Sequence, residues 1–306
     1  AIPTKQALLQ ALSGAEGRYI SGEQLAQTLG VSRAAIHKAA AALTTQGYTL
    51  EAAPRRGYRL LGGDPFCADA VGEYPAPVYV HERLDSSNQT AKRLALAGAP
   101  HGTLVLAGQQ SAGRGRMGRR FESPAGKGIY LSLVLRVPVP ASEALGVTVG
   151  AAVAVARAVQ KLCGIELGIK WVNDLYYQGK KVCGMLLEMN ADEQSVHDVV
   201  AGIGINVHQT AFEGEIAKTA SSLDLLTGRR VCRADVVRAF LEEYEAVDEL
   251  ARQGGEALTQ QLAIRPKRVD GGRQGFGGQF ALRHDVRQTA RLERIGVEHL
   301  IAAPLW

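Results

Sequence analysis

The sequence predicts an α+β fold built in more than one part, and three observations carry that prediction. Short helical patterns followed by a hairpin pattern occupy the first 63 residues of the 306. Apolar runs of strand length, with one long Ala/Val-rich run among them, occupy the middle and read as a mixed β-sheet with helices. At about 150 residues per domain, the length favours roughly two domains. Breaker-rich stretches place the boundaries at 1–63, 64–256 and 257–306, the first at Gly62-Gly63-Asp64-Pro65.

In the first segment, Lys5–Leu12 sets Leu8, Leu9 and Leu12 on one helical face. Ser21-Gly22-Glu23-Gln24 has the form of a capping box, in which side chains satisfy the free donors of a helix start. Gly30 ends that second helix and Ser32 caps a third, which runs to about Thr45 and buries Ile36, Ala40 and Leu43. Arg33, His37 and Lys38 lie on its opposite face. Two strands, Tyr48–Leu50 and Tyr58–Leu60, follow across a turn containing Arg55 and Arg56. Helix, turn, helix and basic hairpin together resemble a winged helix-turn-helix, whose third helix enters the major groove while the hairpin approaches phosphates or the minor groove. Ser32, Arg33, His37, Lys38, Arg55 and Arg56 are the predicted DNA contacts. Charge agrees: up to Gly63 there are seven Lys/Arg against three acids, so +4 of the net +5 lies there. The competing reading is a small module that only packs against the rest of the chain. One such module binds weakly and with strong salt dependence, which favours a dimer on two half-sites.

In the second segment, Val78–Leu84 and Thr103–Gly108 read as strands, and Asp85-Ser86-Ser87-Asn88 caps a helix reaching Ala97. Ile129–Arg136 alternates as a strand with one buried face, 142–162 as a buried helix, and Glu166–Trp171 as another strand. Leu175–Tyr177 and Val182–Met189 form a hairpin across Gln178-Gly179-Lys180-Lys181, and Val196–Val207 a further strand. Between the second and third strands lies Gln109–Gly128, with five basic residues, one acid and five glycines. Glycines let backbone donors approach a ligand, and the guanidiniums of Arg114, Arg116 and Arg119 offer forked donors to carboxylate and phosphate. The loop lacks the Gly-Lys-Ser/Thr ending of a Walker loop and lacks the dinucleotide fingerprint. An RNA-binding glycine-arginine tract is the competing reading, and the short span between two patterned strands fits it poorly. Lys170 and Lys181 add two cations to the same sheet, suited to a substrate with developing polyphosphate charge. Asn206 closes the small-residue run Gly202-Ile203-Gly204-Ile205, where a ligand or backbone can come close.

Composition removes other classes. At 46% hydrophobic and 21% charged residues the chain can bury a substantial core. No run of about 18 uncharged apolar residues suggests a membrane span, and residues 1–10 lack the apolar core of a leader. Cys67, Cys163, Cys183 and Cys232 share no metal-ligand spacing, so a reduced, cytoplasmic protein without a zinc site is expected.

The motifs GRGRMGR, KWVNDLYYQGKKVCGMLLE and AGIGINV, in this order, resemble the catalytic core of biotin protein ligases. With the winged helix in front, the chain resembles the bifunctional bacterial type that also represses the biotin operon, from about Ser21 to Leu250. The resemblance implies ATP with Mg2+, biotin as substrate, a biotin carboxyl carrier protein as acceptor, operator DNA and a homodimer. It implies that Ser86, Ser87, Asn88 and Gln110 hold the ureido ring, and that Gly113 to Gly118 fold over biotin and its adenylate. Arg114 and Arg116 would meet carboxylate and phosphate, with Arg119 and Asn206 in the nucleotide set. Phe121, where the family often has tryptophan, would stack on adenine. Lys181 would hold the carboxylate and α-phosphate, Lys170 would neutralise phosphate, Asn173 and Asp174 would position nucleotide or magnesium, and Gly184 would leave room. The catalytic set is thus Arg116, Lys181 and Lys170. Val172 replaces the proline usual in the KWPND-like motif. Two other functions remain open: a non-catalytic biotin-sensing regulator, and a lipoate-type ligase, against which the intact GRGRMGR loop argues.

The family usually ends in a small SH3-like barrel. Ile264–Val269 begins compatibly, but the Gly/Arg-rich stretch after it, with a helical pattern over Val286–Ile295, does not continue the strand alternation. A divergent tail or a change of reading frame accounts for this.

Overall fold

The computed structural model describes residues 3–136, 145–170, 173–191, 196–252, 264–267 and 279–282. Three helices open the chain: α1 (Thr4–Gly14), α2 (Gly22–Leu29) and α3 (Arg33–Thr45). Ser21 Oγ accepts from Gln24 N at 3.0 Å and Ser32 Oγ from Ala35 N at 3.1 Å, so both predicted caps form. Gly30 ends α2 in the left-handed region at φ 65°, where a side chain would be strained. Leu8, Leu12, Leu25, Ile36 and Leu43 make the core of this module.

Strands β1 (Tyr48–Ala53) and β2 (Gly57–Gly63) pair as an antiparallel hairpin reaching further towards the tip than the sequence pattern suggested. Ile20 bridges to Tyr58, which fixes the hairpin to the segment before α2. A Cβ on Gly57 would lie 2.1 Å from Ile20 O, so only glycine permits this approach.

A second core surrounds one sheet. Its elements are α4 (Ala68–Val71), β3 (Val78–His81), α5 (Ser87–Leu96), β4 (Thr103–Ala107), β5 (Gly128–Leu135) and α6 (Leu145–Cys163). Then follow β6 (Gly168–Lys170), β7 (Asp174–Tyr177), β8 (Lys180–Ala191), β9 (Val196–Asn206), α7 (Leu223–Thr227), α8 (Arg233–Arg252), β10 (Ile264–Lys267) and β11 (Gln279–Leu282). Among the described residues the sheet order is β10-β11-β6-β7-β8-β9-β5-β4-β3, antiparallel except for the β3–β4 pair. The sheet is therefore mixed, as expected. Leu104, Leu106, Leu131 and Leu133 share one core cluster with residues of α6 and α8, while Val105, Val134 and Val200 cluster with Ala91 and Ala95 of α5.

Several local expectations need correction. β5 is buried along its whole length, because helices cover both faces of a central strand; the sequence suggested one buried face. The β7–β8 turn contains only Gln178 (φ 47°) and Gly179 (φ 79°), and Lys180 already pairs with Tyr177. Ser86 occupies the N-cap of α5 but its side chain caps nothing; Gln110 Oε1 instead accepts from Ser87 N at 2.8 Å. The sequence reading passed over α4, α7 and α8, whose patterns are short or follow an irregular stretch. Trp171, Val172 and the Val286–Ile295 pattern lie outside the described residues. Of the last segment, β10 and β11 are described, and they extend the edge of the main sheet beyond β6.

Asp64 ties the two cores together. Its carboxylate accepts from Arg233 N and Arg233 Nε, both at 2.8 Å, and lies 3.1 Å from His208 Nε2, whose Nδ1 lies 2.8 Å from Asp224. Burial alone raises the Asp64 pKa, but the hydrogen bonds from His208 and Arg233 outweigh it and hold the carboxyl below its ordinary range.

Candidate active site

One cleft, with about 480 Å3 of empty space that includes open solvent, lies where α5, the glycine-arginine loop, β8 and β9 meet. Its floor is made possible by missing side chains. Gly184 and Gly204 are direct partners in the β8–β9 register, and Gly202 lies two residues before Gly204 on the same face. A Cβ on Gly202 would lie 2.1 Å from Asn88 Oδ1, one on Gly204 2.5 Å from the Phe121 ring, and one on Gly184 2.9 Å from Lys181 Nζ. These glycines make room for the side chains of the site itself.

The deep end is polar and uncharged. Ser132 Oγ lies 2.6 Å from Asn88 Oδ1 and 2.8 Å from Ser87 Oγ, and Ser87 Oγ lies 3.1 Å from Gln110 Oε1. Gln110 Nε2 donates to Ser123 Oγ at 2.9 Å. Asn88 Nδ2 donates to Glu188 Oε2 at 2.9 Å, and Lys92 Nζ lies 3.0 Å from Glu188 Oε1. Burial raises the Glu188 pKa, yet hydrogen bonds from Asn88 and Lys92 and the charges of Lys92 and Arg114 leave it lowered.

The mouth is cationic. Arg114, Arg116 and Lys181 all line it. Arg116 Nη1 donates to Asn173 Oδ1 at 3.1 Å, and Lys181 Nζ lies 2.8 Å from Asp174 Oδ1. The loop carrying the arginines is closed by Phe121 N to Gly113 O (3.0 Å) and Gly115 N to Arg119 O (2.7 Å). At its tip Met117 is 91% exposed at φ 56°. Such an arrangement suits an elongated ligand with a neutral hydrogen-bonding head and an anionic end. Cys183 beside it is fully buried, and burial pushes its thiol pKa up, which makes it a poor nucleophile.

The structure brings Ser86, Ser87, Asn88, Gln110, Arg114, Arg116, Phe121, Asn173, Lys181 and Gly184 to this cleft. Gly113 is buried behind it, where a Cβ would meet Phe121 O at 2.4 Å. Asp174 reaches it through Lys181. The exposed Arg119 does not line it. Lys170 sits over the Tyr176 ring at 5.2 Å, and Asn206 is buried with Nδ2 bonded to Ser221 O and Oδ1 accepting from Gln209. Sequence reasoning missed Ser132 and Glu188. Ser132 is the lone serine within the apolar run of β5, and Glu188 closes the motif KWVNDLYYQGKKVCGMLLE as a carboxylate in an apolar strand; these were the available signals.

On the first module, Arg33, His37 and Lys38 are exposed along one side of α3. The Ser32 hydroxyl oxygen is occupied by its cap. Arg55 stands at the hairpin turn with φ 63°, whereas the Arg56 guanidinium lies 4.0 Å over the Tyr19 ring, which Arg59 also approaches at 4.7 Å.

Fold and cleft together define a protein ligase of the biotin/lipoate class behind a helix-turn-helix module. Residues 80–206 match the Biotin/lipoate A/B protein ligase family, and residues 4–59 match an HTH domain. The chain is 38% identical over 247 residues to the Bifunctional ligase/repressor BirA of Bacillus subtilis (strain 168), covering 78% of this chain and 76% of that one. It is 31% identical over 249 residues to the BirA of Escherichia coli (strain K12), covering 79% and 76%. The chain belongs to this family of bifunctional ligase/repressor proteins. Among solved structures, a mutant biotin protein ligase from Aquifex aeolicus in complex with biotin is similar at TM-score 0.50 and 27% identity, covering 61% of this chain and 75% of that one.

Proposed function

We propose that the chain activates biotin with ATP and transfers it to a lysine of a biotin carboxyl carrier protein, and that it also represses transcription from operator DNA. The observation that carries the reading is one cleft holding a neutral hydrogen-bonding end at Ser87, Asn88 and Gln110 and a cationic mouth at Arg114, Arg116 and Lys181. The first end matches the ureido ring and the second matches the carboxylate and the α-phosphate.

The biotin carboxylate oxygen attacks the α-phosphorus of ATP, and pyrophosphate leaves. The deprotonated amine of the acceptor lysine then attacks the acyl carbon of biotinyl-5′-AMP, forming the amide and expelling AMP. Arg116 and Lys181 stabilise the charge that builds on the phosphoryl oxygens, and the cleft holds the two substrates in line. No enzyme nucleophile is required. Lys170 and Arg119 serve the nucleotide from outside the cleft lining, and Phe121 borders it; Asn206, its amide occupied by Ser221 and Gln209, acts only through those partners. Asp174, whose Oδ1 pairs with Lys181, would hold magnesium together with the phosphate oxygens of ATP, and the ion would neutralise charge on those phosphates. Among the described residues no cluster of three metal-ligating side chains offers a closed alternative.

The organisation we infer is a DNA-binding domain at 1–63, a ligase domain at 64–256 and a C-terminal segment at 257–306. Arg33, His37, Lys38, Arg55 and Arg56, with Ser32 at the helix start, would face DNA. A homodimer would present two such surfaces to two half-sites. Among the described residues no helix is long and apolar enough to cross a membrane. The four free cysteines suit a reducing, cytoplasmic setting.

The test is transfer. Incubation with ATP, magnesium, labelled biotin and a biotin carboxyl carrier domain should label one acceptor lysine. Tight biotin binding without labelled lysine would leave a biotin-sensing regulator and remove the enzyme.

A further inference from the structure

Glu188 does not line the cleft, yet it stands at the end of a chain of side chains that leads into it. Donor and acceptor chemistry gives that chain a preferred direction. Glu188 Oε2 faces Asn88 Nδ2 at 2.9 Å and Leu186 O faces the same nitrogen at 3.3 Å. An ionised carboxylate and a carbonyl only accept, so the Asn88 amide must present its NH2 to them and its oxygen the other way. Glu188 is kept ionised by Lys92 of α5 on its second oxygen and by the charge of Arg114.

Asn88 Oδ1 then needs a donor, and the hydroxyl 2.6 Å away is Ser132. Ser132 has one proton, and donating it to Asn88 leaves its oxygen as an acceptor towards Ser87 Oγ at 2.8 Å. Ser87 must therefore donate to Ser132. Gln110 Oε1, 3.1 Å from the same hydroxyl, is the competing acceptor, but it is already supplied by Ser87 N at 2.8 Å, and Ser132 is the nearer of the two. The chain runs from Ser87 to Ser132 to Asn88 to Glu188, each donating to the next. What remains on the Ser87 oxygen for a ligand is a lone pair. Gly202 holds the arrangement flat, since any side chain there would displace the Asn88 oxygen.

We propose that Glu188 is a positioning residue that sets the direction of this hydrogen-bond chain and thereby makes the deep end of the cleft an acceptor for a ligand N–H. The proposal rests on the reading that the cleft binds biotin, whose cyclic urea supplies N–H donors. Its consequence is selectivity: an acceptor without its donor is left buried and unpaired, so an analogue lacking the N–H is rejected.

Glu188→Gln tests this. A glutamine can donate as well as accept, so only the longer contact to Leu186 O at 3.3 Å still holds the Asn88 NH2, and the direction of the chain is weakened. Full-length protein is assayed for adenylate formation with biotin and with a cyclic carbamate analogue in which one ureido N–H is replaced by oxygen. The variant should show KM for biotin raised about tenfold or more, with KM for ATP and kcat changed by less than about twofold. Its preference for biotin over the carbamate should fall by a similar factor. Ser132→Ala removes the next link with little change of volume and should raise KM for biotin without affecting KM for ATP. Unchanged biotin KM and unchanged discrimination in either folded variant would overturn the role of Glu188. Wild-type protein that neither binds nor activates biotin would instead overturn the underlying assignment of the cleft.

Discussion

Lys181 shares a face of the sheet with Gly184 although the two are three residues apart, an odd spacing that a regular strand would place on opposite faces. The register between β7 and β8 slips between Leu175 and Tyr176, so Leu175 pairs with Cys183 but Tyr176 pairs with Lys181. The extra residue, Val182, is a bulge that reverses the phase of the strand and swings Lys181 over Gly184. Asp174 holds the redirected ammonium at 2.8 Å.

Lys181→Ala and Arg116→Ala should each lower adenylate formation about a hundredfold or more, by removing a donor aimed at developing phosphoryl charge. Both side chains sit at the open mouth, so thermal unfolding should change little. Pyrophosphate release measured beside a melting curve checks this; activity within about twofold of wild type would count against the cleft as the reaction centre.

Gly202→Ala tests the floor. A methyl group there occupies the space of Asn88 Oδ1 and must push the amide off the sheet. Weaker biotin binding is expected, about tenfold or more, with ATP affinity retained. Calorimetric titration with each substrate separates the two effects.

Asp64 predicts how the modules respond to acid. Its carboxyl is held below the ordinary value of 3.8 in the folded chain, so its contribution is complete above that value and is lost as pH falls through the lowered folded pKa. Asp64→Ala leaves the buried Arg233 guanidinium without its carboxylate and His208 with Asp224 alone, and should cost about 3 kcal/mol. Denaturant titrations near neutrality and below about pH 4 should show the variant less stable at neutrality and less sensitive to acid than wild type.

For DNA, Arg33→Ala or Arg55→Ala should weaken operator binding and reduce its salt dependence by about one unit of slope for each phosphate contact removed. Tyr19→Ala releases Arg56 and Arg59 from the ring and should weaken binding through wing order without altering α3. Mobility shifts at several salt concentrations distinguish the two outcomes.

Much of the N-terminal module was legible in the sequence because its determinants are local. Ser21, Ser32 and Gly30 act within a few residues, and Leu8, Leu12, Ile36 and Leu43 follow the helical repeat. The glycine-arginine loop and most of the cleft residues were legible too, through motif order. What the sequence could not disclose is what depends on register between distant strands. Gln110 caps α5 from across a loop, and Ser132 meets Asn88 from the face of β5 that alternation alone left unassigned. Glu188 is joined to Asn88 across 100 positions of chain. Asn206, read as a ligand contact, is occupied by Ser221 and Gln209. By itself the sequence determined most of the elements, though not α4, α7 and α8, and which residue types populate the site. Tertiary structure decided which of them converge, because in a sheet one bulge reverses the side on which every following residue stands, and such a bulge brought Lys181 to the cleft.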